Sequence, residues 1–230
     1  MRSFLPLGVL LAALSAGAAE RVLDFSDAPL DKSPPGFRSA LAGQGAPGDW
    51  RVILDEVPPL LAPLTAKAPV VTKRPVLAQL SRDRTDERFP LLVFEEETFG
   101  DFTLTTRFKL VAGEVEQMAG IAFRLQDERN FYVIRASGLG RNVRFYKVVN
   151  GERSAPIGPQ LDLPTNVWHE LKIECKGNQI RCWLNGREAI PTLGDNSFSS
   201  GKIAFWTKSD SVSYFADTRI VYTPREPLAQ

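Results

Sequence analysis

Apolar and polar residues alternate along most of the chain after about residue 100. Phe102 to Leu110 (F-T-L-T-T-R-F-K-L) puts apolar side chains at 102, 104, 108 and 110, with polar residues between them. Met118 to Gln126, Phe131 to Ala136, Val143 to Val149, Glu170 to Cys175, Ile180 to Leu184, Ile203 to Thr207 and Val212 to Tyr222 repeat the pattern. A period of two predicts strands with one face toward a core. Turn formers separate them: D-E-R-N at 127–130, G-L-G at 138–140, N-G at 150–151, K-G-N-Q at 176–179 and N-G at 185–186. Short strands at such spacing predict an all-β sandwich or barrel rather than βαβ units. The period-two face predicts Ile121, Phe123, Ile134, Phe145, Leu171, Ile173, Ile203 and Phe205 as core.

The first hundred residues are less regular. Val22 to Phe25, Trp50 to Leu54 and Val76 to Leu80 have strand character. Between them, residues 55–75 carry Pro58, Pro59, Pro63, Pro69 and Pro75, too much proline for an interior strand, and predict a surface loop. Before all of this, Arg2 leads a short apolar run from Phe4 to Leu14, and small residues follow at Ser15 to Ala19. That is the pattern of a cleaved export signal, too short to span a bilayer. The expected organisation is therefore a signal peptide at 1–19, one domain at 20–223 and a frayed tail at 224–230. Cleavage is expected after Ala18 or Ala19. No cysteine stands where a lipid would be attached, and no later segment is apolar enough to span a membrane. The expected location is periplasmic or secreted.

Charge narrows the chemistry. Lys+Arg number 28 against 27 Asp+Glu, so no electrostatic footprint for nucleic acid is present. With one histidine, His169, the chain lacks a zinc site needing two imidazoles, and no G-x-S-x-G elbow accompanies it. His169 is expected to be a structural or surface histidine. Neither G-x-G-x-x-G nor a Walker lysine motif occurs. Cys175 and Cys182 flank K-G-N-Q. A hairpin there places both on one face, directly opposite or one step diagonal. The first arrangement suits a disulfide and the second two buried thiols.

Three stretches carry a resemblance: Gly120–Arg135 (G-I-A-F-R-L-Q-D-E-R-N-F-Y-V-I-R), Trp168–Glu188 (W-H-E-L-K-I-E-C-K-G-N-Q-I-R-C-W-L-N-G-R-E) and Gly201–Ile220. They resemble hairpins of laminin G-like domains and the concanavalin A-like lectin/glucanase superfamily, and most nearly the 3-keto-disaccharide hydrolase domain family. The resemblance implies a jelly roll of two antiparallel sheets. It also implies an exported carbohydrate-active protein, either hydrolysing a 3-keto-disaccharide or other glycoside, or binding saccharide or serving the envelope without catalysis. A 3-keto group acidifies the neighbouring C–H, so a single base would suffice for elimination followed by hydration. Family 16 glycosidases of similar architecture use E-x-D-x-x-E. Here Glu114 and Glu116 are followed by Ala119, so that pattern fails, and both glutamates are expected in an exposed turn. The resemblance further implies a structural Ca²⁺ at Asp217, helped by Asp24, Asp27 and the Gly100-Asp101 turn. The alternative is that Asp217 pairs with a strand-end arginine or caps a turn.

Closing a hairpin at D-E-R-N pairs Phe123 near Ile134 and Arg124 near Val133. Ile121, Phe123, Leu125, Tyr132 and Ile134 then share the core face. Arg124, Phe131, Arg135, Arg144 and Tyr146 share the opposite face and form the candidate saccharide site, widened by Trp183 or Trp206. Aromatic faces stack on sugar rings, and guanidinium forks donate to hydroxyls.

Overall fold

The computed structural model describes residues 17–59, 61 and 71–224. Most of the expected signal segment, the middle of the proline-rich stretch and the end of the tail lie outside the described residues. Among those described there is no helix. Fifteen strands follow in order: β1 (Ala19–Leu23), β2 (Phe37–Gly43), β3 (Trp50–Val57), β4 (Thr72–Gln79), β5 (Arg88–Phe99), β6 (Phe102–Ala112), β7 (Met118–Asp127), β8 (Asn130–Ser137), β9 (Asn142–Val149), β10 (Glu152–Arg153), β11 (Trp168–Lys176), β12 (Gln179–Leu184), β13 (Arg187–Gly194), β14 (Gly201–Trp206) and β15 (Val212–Tyr222). They form two antiparallel sheets. An eight-stranded sheet runs β13-β12-β11-β6-β15-β4-β3, with β1 also on β15, and a seven-stranded sheet runs β10-β9-β8-β7-β14-β5-β2. The two-sheet sandwich is the expected one.

Of the residues predicted for the core, all but Leu125 lie in the main hydrophobic cluster between the sheets. Phe123, Ile121 and Ile134 are fully buried there. Each such side chain contributes about 1.5–3 kcal/mol through burial. In the eight-stranded sheet, β6 and β11 keep the simple alternation. In β6, Phe102, Leu104, Phe108 and Leu110 are buried, and the residues between Thr103 and Lys109 alternate with them at partial exposure. Thr106, the polar member of the inward row, is satisfied by Thr218 Oγ1 at 2.6 Å.

Four strands were not foreseen: β2, β5, β10 and β13. β5 carries Pro90 and the run Glu95-Glu96-Glu97, both of which mimic a loop. β3 and β4 also reach into the expected 55–75 loop, with Leu54 opposite Pro75. Pro75 is tolerated because the β15 ladder on the other side of β4 covers Leu77 to Gln79 alone. Beyond that point β15 bulges at Asp217, with a positive φ of 52°, and resumes pairing with β1 at Leu23–Thr218.

The β7–β8 hairpin departs from its expected register. Phe123 pairs with Tyr132, not Ile134, because the ladder shifts between Phe123 and Asp127. Arg124 takes a positive φ of 47° in this bulge. Gly201 of β14 lies against it so closely that a Cβ there would come within 2.3 Å of the Arg124 carbonyl carbon. The bulge reverses two faces: Leu125 joins the outward cluster, and Arg124 turns away from it.

Cys175 pairs with Ile180 and Cys182 with Ile173, so the two cysteines are diagonal. Both are free thiols, buried in the core, and burial pushes each up to about 12. Of the two arrangements left open, the register gives the diagonal one, not the disulfide, and the sulfurs are small core hydrophobes.

Candidate functional site

The outward face of the seven-stranded sheet is not polar. β8 is buried along nearly its whole length, on both faces, and β7 through most of its own. Met118, Ala122, Leu125, Phe131, Val133, Val148, Ala204 and Trp206 form a second cluster there with Phe89 and Leu91 of β5. This apolar floor lies under a cavity of about 560 Å³. A cavity of that size with an apolar floor and converging polar groups is the usual form of a small-molecule site.

Phe131, Arg135 and Tyr146, three of the five predicted residues, line the cavity, and Trp206 lines it as well. The i, i+2 spacing along β8 explains why Phe131, Val133 and Arg135 stand in one row. Tyr146 is opposite Val133 on β9. Trp206 stacks on Phe89 at 5.7 Å, with an angle of 17° between the rings. Arg135 is buried, bonds Asn142 and donates to the Tyr146 hydroxyl at 3.1 Å. Burial lowers the Arg135 pKa from its ordinary value, partly offset by Tyr146 and Glu116.

The other two predicted residues stand elsewhere. Arg124 leaves the face through the bulge. Its guanidinium donates to the carbonyls of Phe198 at 2.9 Å and Gly177 at 2.6 Å, with Asp101 at 3.8 Å. It fastens turns at the edge of the sandwich. Arg144 is opposite Arg135 on β9, but its guanidinium is spent on the Gly158 carbonyl and does not line the cavity. Trp183 is on the eight-stranded sheet, beneath Lys172 and Arg181 at 4.5 and 4.7 Å from its ring.

Apart from Arg135, sequence reasoning missed the site's charged groups. Glu116, expected in an exposed turn with Glu114, has a side chain 17% exposed and lines the cavity. Glu114 alone fits that expectation: it is exposed and paired with Arg84. Lys208 binds Glu116 Oε1 at 3.0 Å and Asp86 at 2.7 Å. Burial pulls the Lys208 ammonium down, but the two carboxylates outweigh it and raise the pKa, so Lys208 stays charged. Arg153 of β10 reaches Glu87 at 2.8 Å and lies over the rings of Phe89 and Tyr146. The lining holds Glu87, Glu116, Glu128 and Glu152 against Arg129, Arg135, Arg153 and Lys208. That balance suits a neutral polar ligand over an aromatic floor. A signal was present: F-Y-V-I-R-A and M-A-G-I-A-F-R-L are apolar on both faces, which an outer face open to water would not need.

Asp217 and Asp24, two of the residues expected for calcium, have other partners. The Asp217 carboxylate receives Arg74 at 2.5 Å and has Arg107 at 3.5 Å, two cations where a metal would need oxygens. Asp24 is engaged by the amide and hydroxyl of Ser26 in a local turn. Among the described residues no group of three or more His, Cys, Asp or Glu is placed to hold a metal. The arginine pairing expected as the alternative for Asp217 is the one present. His169 is buried and structural: Nε2 donates to the Pro164 carbonyl at 2.8 Å, and Asn185 donates to Nδ1 at 3.1 Å, an assignment made from the partners.

A family model described as a 3-keto-alpha-glucoside-1,2-lyase-like domain matches residues 70–220. No curated protein matches the chain significantly. Among solved structures, the carbohydrate-binding module CBM66 from Bacillus subtilis aligns with a TM-score of 0.54 at 18% identity, over 74% of this chain and 94% of that one. A native glycosidic hydrolase aligns with a TM-score of 0.52 at 12% identity, over 94% of this chain and all (100%) of that one. The beta-glucanase of Bacillus licheniformis gives 0.51 at 12% identity, over 92% and 100%. At these identities the likeness is one of fold, and it is the jelly roll expected from the strand pattern.

Proposed function

Because the chain belongs to the 3-keto-alpha-glucoside-1,2-lyase-like family of carbohydrate-active domains, we propose that the cavity on the seven-stranded sheet binds a 3-keto-glycoside and cleaves it by elimination. The observation that carries this is Glu116, a carboxylate held by Lys208 at the wall of an aromatic-floored cavity that also presents Arg135 and Tyr146. In this reading the Glu116 carboxylate removes the proton from C2. The C–H electron pair forms the C2–C3 double bond, and negative charge collects on the ketone oxygen. Collapse of that enolate forms the C1–C2 double bond and expels the C1 oxygen, which takes a proton and leaves as the alcohol. Cations and O–H donors aimed at the ketone oxygen stabilise the enolate. Tyr146 is equipped for this, because its oxygen accepts from Arg135 and its own proton remains to be donated.

The test is turnover of a 3-keto-α-glucoside, followed by ultraviolet absorbance of the conjugated enone. Glu116→Gln is expected to lower kcat by roughly 10²–10⁴-fold, the range for a lost general base. Unchanged turnover in that variant would sink the assignment. A second reading, noncatalytic saccharide binding, is favoured by the ion pairs that already engage Glu87, Glu116 and Glu128. Saturable binding without turnover by the unaltered protein would establish that reading instead.

The protein is also inferred to be exported. The apolar run at 4–14 supports this, and β1 begins at Ala19, so cleavage after Ala18 leaves the strand whole. N-terminal sequencing of the processed protein checks it, and retention of Met1 would refute it.

A further inference from the structure

The segment from Thr207 to Ser211 is polar in sequence and buried throughout. Thr207 and Ser209 bond the backbone of β5, whereas Lys208, Asp210 and Ser211 reach the turn at 113–117 that joins β6 to β7 and carries Glu116, or the start of β7 beside it. The Asp210 carboxylate accepts three successive backbone N–H groups of that turn: Glu114 at 2.7 Å, Val115 at 3.1 Å and Glu116 at 2.9 Å. Ser211 Oγ accepts the amide of Met118 at 3.0 Å, and Ser213 Oγ donates to the Met118 carbonyl at 3.0 Å. Two residues before Asp210, Lys208 binds the Glu116 side chain. The turn itself is tight. Gly113 has a φ of 147°, and a Cβ there would sit 1.8 Å from the Glu116 carbonyl oxygen.

We propose that Asp210 is a positioning residue for the elimination: by holding the backbone of the 113–117 turn it sets where the Glu116 carboxylate stands against the substrate. The inference rests on the reading of Glu116 as the base. A surface turn between two strands would ordinarily be free to flex, with its amides bonded to water. Here three amides are tied to one buried carboxylate, a charge-assisted arrangement stronger than neutral hydrogen bonding. Burial alone would push the Asp210 carboxyl up, yet the three amides outweigh it and hold it below the ordinary value, so the acceptor remains ionised. The backbone and side chain of Glu116 are thus fixed from the same loop, through Asp210 and Lys208. Asp210 does not itself line the cavity, which separates its role from that of a substrate contact. A misplacement of about 1 Å at a reacting group is enough to cost about 100-fold in rate.

The experiment compares Asp210→Ala and Asp210→Asn, alone and combined with Glu116→Gln, in turnover of a 3-keto-α-glucoside and in melting temperature. Asp210→Ala is expected to lower kcat by about 10–100-fold with KM changed less than about threefold. It should also move the acidic limb of the kcat/KM profile. Asp210→Asn retains one acceptor oxygen and should recover part of the rate. In the Glu116→Gln background Asp210→Ala should have little further effect, because its influence passes through Glu116. Equal losses in both backgrounds, or a wild-type kcat in Asp210→Ala, would overturn the inference while Glu116 stands as base. If Glu116→Gln itself turns over normally, the reading of Glu116 fails first. Should Asp210→Ala not fold, Asp210→Asn decides: an unchanged kcat and pH profile in that variant refutes the positioning role.

Discussion

The two sheets present opposite outer faces to their surroundings. On the eight-stranded sheet, β6 and β11 alternate strictly, and their outward rows are Thr103, Thr105, Arg107 and Lys109 beside Glu170, Lys172 and Glu174. On the seven-stranded sheet, β7 and β8 bury Ala122, Phe131 and Val133 on the outward side as well. Both sheets carry cations over aromatic rings on these faces: Lys172 over Trp183 on one, Arg135 and Arg153 over Tyr146 on the other. A cavity of about 560 Å³ accompanies the second set. The lesson is that a charged aromatic row does not by itself mark a saccharide site. An apolar floor on the supposedly wet side of a sheet is the more informative sign, because burial there has no role in joining the two sheets.

Truncations on three faces test this ordering. Phe123→Ala, between the sheets, should cost about 3–5 kcal/mol of stability. Val133→Ala, on the cavity floor, should cost about 1.5 kcal/mol, from the methyl groups withdrawn from an apolar cluster. Thr105→Ala, outward on the eight-stranded sheet, should stay within about 0.5 kcal/mol. Denaturant unfolding measures all three. If Val133→Ala matched Thr105→Ala, the cavity floor would be an ordinary solvated face and the contrast would fail.

Legibility followed the same division. The alternation of Phe102–Leu110 and Glu170–Cys175 was sufficient to identify strands, faces and core. Phe131, Arg135 and Tyr146 were also accessible, because β8 and β9 pair without a shift about their turn; Trp206 was reached only as an aromatic on a neighbouring strand. Arg124 was not: the bulge depends on its left-handed conformation and on the close approach of Gly201, neither of which period-two reasoning contains. Glu116 and Lys208 were hidden for a different reason. Both lie in polar segments that look solvated, and they enter the site through contacts about ninety residues apart in sequence. Glu87 and Arg153 meet across the cavity in the same way. Charge pairs of long sequence separation leave no local pattern.

The pH dependence of stability sharpens the comparison further, with an expected effect smaller than that of Phe123→Ala. At one edge of the seven-stranded sheet, burial would raise the Asp195 carboxyl. The Lys147 ammonium at 2.6 Å, the Tyr132 hydroxyl at 2.5 Å and the Ser197 amide reverse that and hold it well below the usual range. Asp83 is lowered to about 2, chiefly by the amides of Ala46 and Thr85. A carboxyl depressed in the folded state contributes stability that is present above its unfolded pKa, near 4, and is lost as pH falls through the folded value. Tyr132 runs the other way. Burial and Asp195 push it up to about 12, so its contribution is complete below about pH 10 and is lost as pH rises toward 12. Melting temperature against pH should therefore fall at both ends. Asp195→Asn should flatten the acid limb; an unchanged limb would show that the triad does not matter to stability.

The smallest expected effect belongs to Arg153, and it discriminates most finely between the two faces. β10 is the edge strand of the seven-stranded sheet, and four strands separate it from β5. Even so, Arg153 reaches both oxygens of Glu87, at 2.8 and 3.0 Å, beside β5. Its guanidinium stands 5.0 Å from the Phe89 ring and 5.7 Å from that of Tyr146. The contact spans the concavity from one rim to the other. Both side chains remain substantially exposed, at 34% and 51%, so the pair is worth no more than about 1 kcal/mol and is weakened by salt. A clasp that weak opens readily to admit a ligand. Arg153→Ala should leave stability within about 0.5 kcal/mol. It should change KM for a 3-keto-α-glucoside by about fivefold, the equivalent of about 1 kcal/mol. The unaltered protein is expected to show a salt-dependent KM, and that dependence should disappear in the variant. Lys172→Ala removes a cation from an aromatic ring on the eight-stranded sheet, away from the 560 Å³ cavity, and should change neither quantity. Equal responses in the two variants would mean that cations over rings serve the same surface role on both sheets, and that Arg153 takes no part in ligand entry.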